Sequence, residues 1–303
     1  MEYVLETDAL TKRYRKFTAL NSLSMHVPKG AIYGVIGRNG AGKTTLIRLI
    51  CGLQEPTDGS FKLYGAQSGT KEIYKARQRM GALIETPAIY RDMTAKENLE
   101  QQYRVLGLPS FDEIKELLAL VGLSDSGKKK AGRFSLGMRQ RLAIAIALCG
   151  NPDFLVLDEP MNGLDPQGII EMRELILKLN REKQVTVLVS SHILDELSKV
   201  ATHYGFIENG SMVKEMSAEE LETRCRKCVR VEVSSIETLS TVLDLNGFEY
   251  KIIDNSKADI YADFQVTKLV SALEKENCVV YSIKERDESL ESYFINLVGG
   301  DEK

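Results

Sequence analysis

One glycine-rich loop constrains this chain more than any other stretch: Gly37-Arg38-Asn39-Gly40-Ala41-Gly42-Lys43-Thr44-Thr45. It follows an apolar run ending at Val35-Ile36 and precedes a helical pattern starting at Leu46. That is the strand–loop–helix setting a Walker A phosphate loop requires. Glycines at 37, 40 and 42 let the backbone curl so that successive N–H groups point at one anion, helped by the positive end of the following helix. Lys43 then reaches the outer phosphates, and the Thr44 hydroxyl can ligate Mg²⁺. A glycine turn that happens to end in Lys-Thr is the bland alternative, and the flanking strand and helix count against it. The loop predicts binding of a nucleoside triphosphate.

A second motif narrows the chemistry. Phe154-Leu155-Val156-Leu157-Asp158 is a short apolar run ending in a carboxylate, with Glu159-Pro160 behind it. As a buried parallel strand it delivers Asp158 to the carboxyl edge of a sheet, beside the phosphate loop, where it can hold Mg²⁺ through water. Glu159 then points at the γ-phosphate and polarises the attacking water. An Asp-Glu pair alone is usually a solvated turn; four apolar residues before it and a strand-stopping Pro160 after it favour catalysis.

Between the two lies Phe134-Ser135-Leu136-Gly137-Met138-Arg139-Gln140-Arg141-Leu142-Ala143. Ser135 is a good N-cap for the helix implied by the Ala/Leu/Ile run to Leu148. Such a start offers N–H groups and a dipole to an anion, although capped helix starts are common. The order of the three motifs is what tells. Here the sequence resembles the ATP-binding subunits of ABC transporters, whose signature loop stands just ahead of Walker B.

That resemblance implies further roles. Ser135 and Gly137 would serve the composite site of the opposite subunit, in a homodimer of ATP-binding domains sharing ATP and Mg²⁺. Tyr14, in Leu10-Thr11-Lys12-Arg13-Tyr14, matches the aromatic that stacks on adenine; an edge-strand face is the plainer alternative. Asp165, in Gly163-Leu164-Asp165-Pro166, matches the D-loop that crosses the dimer interface. His192, ending Val185–Ser191, matches the switch histidine at the γ-phosphate, whereas His26 and His203 read as structural or exposed.

Two departures stand out. The family usually carries Gln in the loop to the helical subdomain; Ile84-Glu85-Thr86-Pro87 has Glu85 there. A carboxylate can ligate Mg²⁺ but adds negative charge near a triphosphate, so Glu85 is expected as a metal ligand or as a hinge toward a membrane partner. In the signature, Leu136 replaces Gly and Met138 replaces Gln. With Met93-Thr94-Ala95-Lys96-Glu97-Asn98-Leu99, these features resemble the bacitracin-resistance and lantibiotic-immunity branch, in which a separate integral-membrane permease removes peptide antibiotics.

Composition fits these expectations. At 303 residues the chain suggests two domains, and a net charge of −3 offers no broad basic field for nucleic acid. Lys128-Lys129-Lys130 reads as a solvated loop. No apolar run approaches the roughly 18 residues of a membrane span, and Met1-Glu2-Tyr3 lacks a signal-peptide pattern. Five scattered cysteines argue against a disulfide framework. Cys225-Arg226-Lys227-Cys228 has metal or redox spacing without a second pair. The expected location is cytoplasmic, peripheral on the inner face of the membrane.

Periodicity predicts an α/β P-loop NTPase core over 1–216. An antiparallel β-subdomain takes up 3–35 and the strand Phe61–Tyr64. A helical subdomain of about 86–150 holds Ala95–Leu106, Phe111–Val121 and Ser135–Leu148. Strands 154–158 and 185–190 flank a helix at Pro166–Asn180, and a hairpin closes at Phe206–Val213. Residues 217–303 predict β-α-β-β-α-β, the ferredoxin-like order, then an amphipathic stretch at Leu290–Leu297. This tail is expected to dimerise or regulate the ATPase. Three rivals are a translation ATPase, which would carry two cassettes; a chromosome or repair ATPase, which would insert a coiled coil; and a nucleotide-dependent regulatory module that binds a sensor protein without transport.

Overall fold

Alternating apolar and polar residues near the N-terminus form two long antiparallel strands, β1 (Tyr3–Tyr14) and β2 (Phe17–Pro28). They are seen in a computed structural model that describes residues 2–224, 228–261 and 264–286, with Tyr293 and Leu297. The wholly apolar run β3 (Ile32–Ile36) is buried at every position. Next comes α1 (Lys43–Ile50), whose Leu46, Ile47, Leu49 and Ile50 have no exposed surface. This face packs into one core with Leu5, Leu20, Met25 and Phe61 of the antiparallel strands. Truncating such a residue, Leu49→Ala for instance, costs about 2–5 kcal/mol through lost transfer energy and the cavity left behind. The sheet is completed by β4 (Asp58–Leu63) and β5 (Ala66–Gln67), in the order β2-β1-β4-β5.

A short helix, α2 (Glu72–Arg77), leads to β6 (Met80–Leu83). The link that follows ends in a capping box at α3 (Ala95–Leu106). Thr94 Oγ1 accepts from Glu97 N–H at 3.2 Å, and Glu97 Oε2 accepts from Thr94 N–H at 2.6 Å. Two reciprocal bonds satisfy orphan donors of the first turn, so the helix starts at one defined residue. Buried Asn98 fastens the link to this helix, donating to the carbonyls of Tyr90 and Thr94 and accepting from Tyr90 N–H. Helices α4 (Ile114–Leu120) and α5 (Leu136–Ala147) complete the region. The predicted helix from Phe111 is shorter than expected, its first residues forming a turn in which the Phe111 carbonyl accepts from Ile114 N–H.

Strand β7 (Phe154–Asp158), α6 (Pro166–Lys183) and β8 (Thr186–Ser191) return the chain to the main sheet. Helix α6 runs past Asn180, because that side chain is an anchor rather than a stop: its Nδ2 donates to the carbonyls of Gly30 and Val185. After α7 (Leu194–Ser198), the hairpin β9 (His203–Glu208) and β10 (Ser211–Ser217) closes the unit. The sheet order is β10-β9-β3-β8-β7-β6, parallel except for β10. Strands β3, β7 and β8 are buried throughout, as parallel strands covered on both faces must be. Their carboxyl ends at Ile36, Asp158 and Ser191 therefore share one edge, which carries the site.

The chain divides into units Met1–Ala218 and Glu219–Lys303, with α8 (Ala218–Arg224) at the junction. The second unit consists of β11 (Cys228–Val233), α9 (Ile236–Leu245), β12 (Tyr250–Ile252), β13 (Lys257–Ile260), α10 (Val266–Lys275) and β14 (Val280–Arg286). Its antiparallel sheet has the order β12-β13-β11-β14. Val231, Val233, Leu239, Leu243, Ile260, Leu269 and Leu273 form its own core. The Cys225-Arg226-Lys227 part of the paired-cysteine spacing and most of Leu290–Leu297 lie outside the described residues. Among the described residues, no helix is long and apolar enough to cross a membrane.

Candidate functional site

The phosphate loop is shaped by what presses on it. Gly42 sits at φ 109°, where a side chain is strained, and a Cβ there would lie 2.6 Å from the Ala19 carbonyl. At Gly37 a Cβ would meet the Ile207 carbonyl at 2.6 Å. The turn between β9 and β10 backs the loop directly, Gly210 N–H donating to Ala41 O at 3.0 Å. That support comes from a hairpin far along the chain, which the loop sequence does not announce.

Lys43 opens α1 and is 6% exposed. Its Nζ donates to Gly37 O at 2.7 Å and Arg38 O at 3.3 Å, and lies 3.3 Å from Glu159 Oε1. Next to it, Thr44 Oγ1 donates to Asp158 Oδ2 at 2.8 Å while Ser190 Oγ donates to Oδ1 at 2.6 Å. Asp158, itself 2% exposed, thus keeps both oxygens bonded, as a buried carboxylate must. Glu159 has φ 51°, and its N–H is bonded to Ser190 O and Oγ. Its Oε2 lies 2.7 Å from His192 Nδ1.

A cavity of about 450 Å³ opens at this edge. Of the predicted residues, Asn39, Gly40, Gly42, Lys43, Thr44, Thr45, Glu159 and His192 line it. Gly37, Arg38 and Ala41 support the loop through backbone bonds instead. Asp158 lies behind Thr44. Phe17, Ala19 and Asn162 also line the cavity and escaped the sequence argument. A larger space, about 620 Å³, is bounded by α4 and the end of α6, with glutamates, lysines and no phosphate loop.

Two of the expected site residues, Tyr14 and Glu85, are not among the residues lining this cavity in the single chain. Tyr14 is not in the cavity wall; its hydroxyl bonds Gln54 and Lys12 Nζ lies 5.3 Å from its ring centroid. Its cross-strand partner Phe17, 61% exposed, is the aromatic that lines the cavity. An aromatic at a hairpin tip was the available signal. Glu85 has φ 55°, and its carboxylate pairs with Arg48 of α1. The Arg48 charge satisfies it where it lies.

Ser135 and Asp165 are N-caps, Ser135 Oγ accepting from Met138 N–H and Asp165 Oδ1 from Gly168 N–H, both at 3.2 Å. The two helix starts adjoin: a Cβ on Gly163 would lie 3.2 Å from Leu136, and one on Gly137 3.6 Å from Leu164. Neither segment lines the cavity around Lys43 within one chain. Thr44 and Asp158 offer hard oxygen donors side by side, the set that suits Mg²⁺.

A strand–loop–helix at the carboxyl edge of a parallel sheet, with a buried lysine and neighbouring carboxylates, defines a P-loop nucleotide-binding ATPase core. A family model described as ABC transporter matches residues 20–162. The chain is 39% identical to the bacitracin transport ATP-binding protein BcrA of Enterococcus faecalis, over 99% of this chain and 98% of that protein. It is 42% identical to the lantibiotic transport ATP-binding protein SrtF of Streptococcus pyogenes, over 70% of this chain and 90% of that one. Among solved structures, the ADP conformation of MJ1267, an ATP-binding cassette of an ABC transporter, superposes with a TM-score of 0.67 at 27% identity, covering 74% of this chain and 95% of that one. The chain belongs to the ATP-binding proteins of the ABC transporter family.

Proposed function

We propose that the chain binds and hydrolyses ATP as the motor subunit of a transporter whose separate permease exports, or confers resistance to, a peptide antibiotic. The observation that carries the catalytic part is the meeting of Lys43, Glu159 and His192 at one carboxylate beside the phosphate loop. Identity to a bacitracin transport protein along nearly the whole chain, second unit included, supports the cargo class.

Two copies face each other head to tail. Each nucleotide is held by Lys43, Thr44 and the loop N–H groups of one copy and met by Ser135 and Gly137 of the other, with Asp165 at the crossing between them. Mg²⁺, held by Thr44 and Asp158, would neutralise charge on the outer phosphates. Glu159 accepts the proton of the attacking water, and His192 orients that carboxylate. Loss of the γ-phosphate removes the group that bridges the copies, so they part. The link at 84–93 carries this motion toward the permease, which holds the motor at the inner membrane face. The second unit acts as an accessory domain that dimerises or regulates the motor; its deletion is expected to change dimerisation or coupled activity.

The test is recovery of the full-length chain with its membrane partner, followed by susceptibility to bacitracin-type and lantibiotic peptides with and without the pair. Unchanged susceptibility across these peptides rejects the cargo class. Recovery without any membrane protein rejects the motor role.

A further inference from the structure

Two hairpins of the first unit turn on nearly the same pair of φ angles. Tyr64 and Gly65, between β4 and β5, have φ 50° and 78°. Asn209 and Gly210, between β9 and β10, have φ 49° and 80°. Positive φ at both central residues is the two-residue type I′ turn, whose second position glycine fills without strain. The surroundings differ. A Cβ on Gly65 would meet nothing within 4 Å, whereas one on Gly210 would lie 2.7 Å from the Ala19 carbonyl oxygen and 3.0 Å from Leu20 Cα. Turn geometry alone accounts for glycine at 65; at 210 the neighbours require it as well.

Those neighbours belong to the phosphate site. The same Ala19 oxygen stands 2.6 Å from a Cβ on Gly42, so β2, the loop and the turn meet there. The Gly210 carbonyl accepts from Asn21 N–H at 2.8 Å, and Ser211 Oγ donates to Asn21 O at 2.9 Å, fastening the turn to β2. On its other side, Gly210 N–H donates to Ala41 O at 3.0 Å. A peptide unit is planar and trans, so the Ala41 carbonyl and the Gly42 N–H point opposite ways. Holding that oxygen against the hairpin turns the Gly42 N–H away from it, and Gly42 lines the cavity beside Lys43. Ala41 N–H is spent on Arg38 O at 3.1 Å, but no group among the described residues accepts from Gly42 N–H.

We infer that Gly210 is a positioning residue for the nucleotide: its N–H, and the lack of a side chain on it, fix the peptide that presents Gly42 N–H to a phosphate. This rests on the phosphate-loop assignment proposed above. Gly210 itself does not line the cavity and acts through Ala41 and Gly42. A Cβ at 210 forces the turn and β2 apart, draws the N–H off Ala41 O and frees that peptide to rotate. Loop N–H groups of this kind cradle the inner phosphates, which ATP and ADP share. Such a contact persists from bound nucleotide through hydrolysis, so its loss falls on binding rather than on turnover.

The test is a matched pair in the full chain, Gly210→Ala beside Gly65→Ala, read by equilibrium titration with fluorescent ATP and ADP analogues and by steady-state hydrolysis. Both place alanine at nearly the same positive φ, so backbone strain is matched and contact with the loop differs. Gly210→Ala is expected to weaken both nucleotides and raise KM for ATP by about tenfold, with kcat at saturation within about twofold. Gly65→Ala is expected to leave KM within about twofold of wild type. Equal shifts in the two variants, or a fall in kcat with KM unchanged, overturn the inference. If Gly210→Ala fails to fold, a glycine inserted between Asn209 and Gly210 displaces the N–H without adding a side chain. Matched by an insertion between Tyr64 and Gly65, it is expected to give the same contrast. Lys43→Ala tests the underlying site separately: full nucleotide binding there refutes the phosphate-loop assignment. Lost binding there, with equal shifts at 210 and 65, refutes the role of Gly210 alone.

Discussion

Thr44 Oγ1 donates a 2.8 Å hydrogen bond to Asp158 Oδ2 across 114 positions of sequence. The bond joins the first turn of α1 to the end of β7, bringing two of the expected metal-binding residues together before any ion is considered. Ser190 holds the other Asp158 oxygen, so the carboxylate has one orientation. Neighbours that orient a ligand in this way contribute to a metal site's affinity alongside the ligand itself.

Asp158→Asn should therefore raise the Mg²⁺ concentration needed for half-maximal ATPase activity by about 10- to 100-fold. Ser190→Ala should shift it in the same direction but less. Activity titrated against Mg²⁺ at fixed ATP measures both. An unchanged requirement in Asp158→Asn removes this residue from the metal site.

Glu159→Gln should lower kcat by about 10²–10⁴-fold, the range ascribed to a positioned general base, while the variant still binds ATP. Single-turnover hydrolysis separates chemistry from product release. Wild-type turnover in this variant would move the base elsewhere.

Phe17 and Tyr14 make a direct comparison, because they are cross-strand partners and only Phe17 lines the cavity. Stacking of a base on an aromatic is worth about 1–3 kcal/mol, so Phe17→Ala should weaken nucleotide binding by about tenfold or more. Tyr14→Ala, which loses its bond to Gln54, should weaken it less. Calorimetric titration with ATP decides, and the opposite ranking would place the adenine contact at Tyr14.

The capping box gives a pH prediction. Bonds from the Thr94 backbone and side chain, with Lys130 nearby, hold the Glu97 carboxyl below its usual range. A depressed carboxyl stabilises the folded state above its unfolded pKa, and that contribution is lost as pH falls through the folded value. Thr94→Ala should cost about 1 kcal/mol at neutral pH through loss of the cap. The gap between wild type and Glu97→Gln should close as the solution is made acidic. Denaturant melts at neutral and acidic pH measure both, and a gap that widens in acid contradicts the assignment.

The elements legible in the sequence were those whose chemistry is local. The 37–45 loop is readable because phosphate binding there uses backbone N–H groups, glycines and the next helix, all within a few residues. The apolar runs of β3, β7 and β8 declare themselves because strands covered on both faces must be apolar throughout. The helix read at Ala95–Leu106 has those same bounds in α3, and the structure supplied the reason for its start, a capping box of Thr94 and Glu97 that closes within one turn.

Partnership was not legible at Tyr14, Phe17 and Glu85. Both aromatics lie at one hairpin tip, and spacing alone does not say which turns toward the cavity. A carboxylate at position 85 suits a metal or a guanidinium equally well, and only the packing of α1 beside the end of β6 gave it Arg48. Sequence alone thus determined that the chain builds a phosphate loop and a carboxylate-tipped strand, since local spacing encodes both. Tertiary structure decided which side chains meet there, because contacts across a hundred residues depend on strand order and register rather than on any neighbour in the chain.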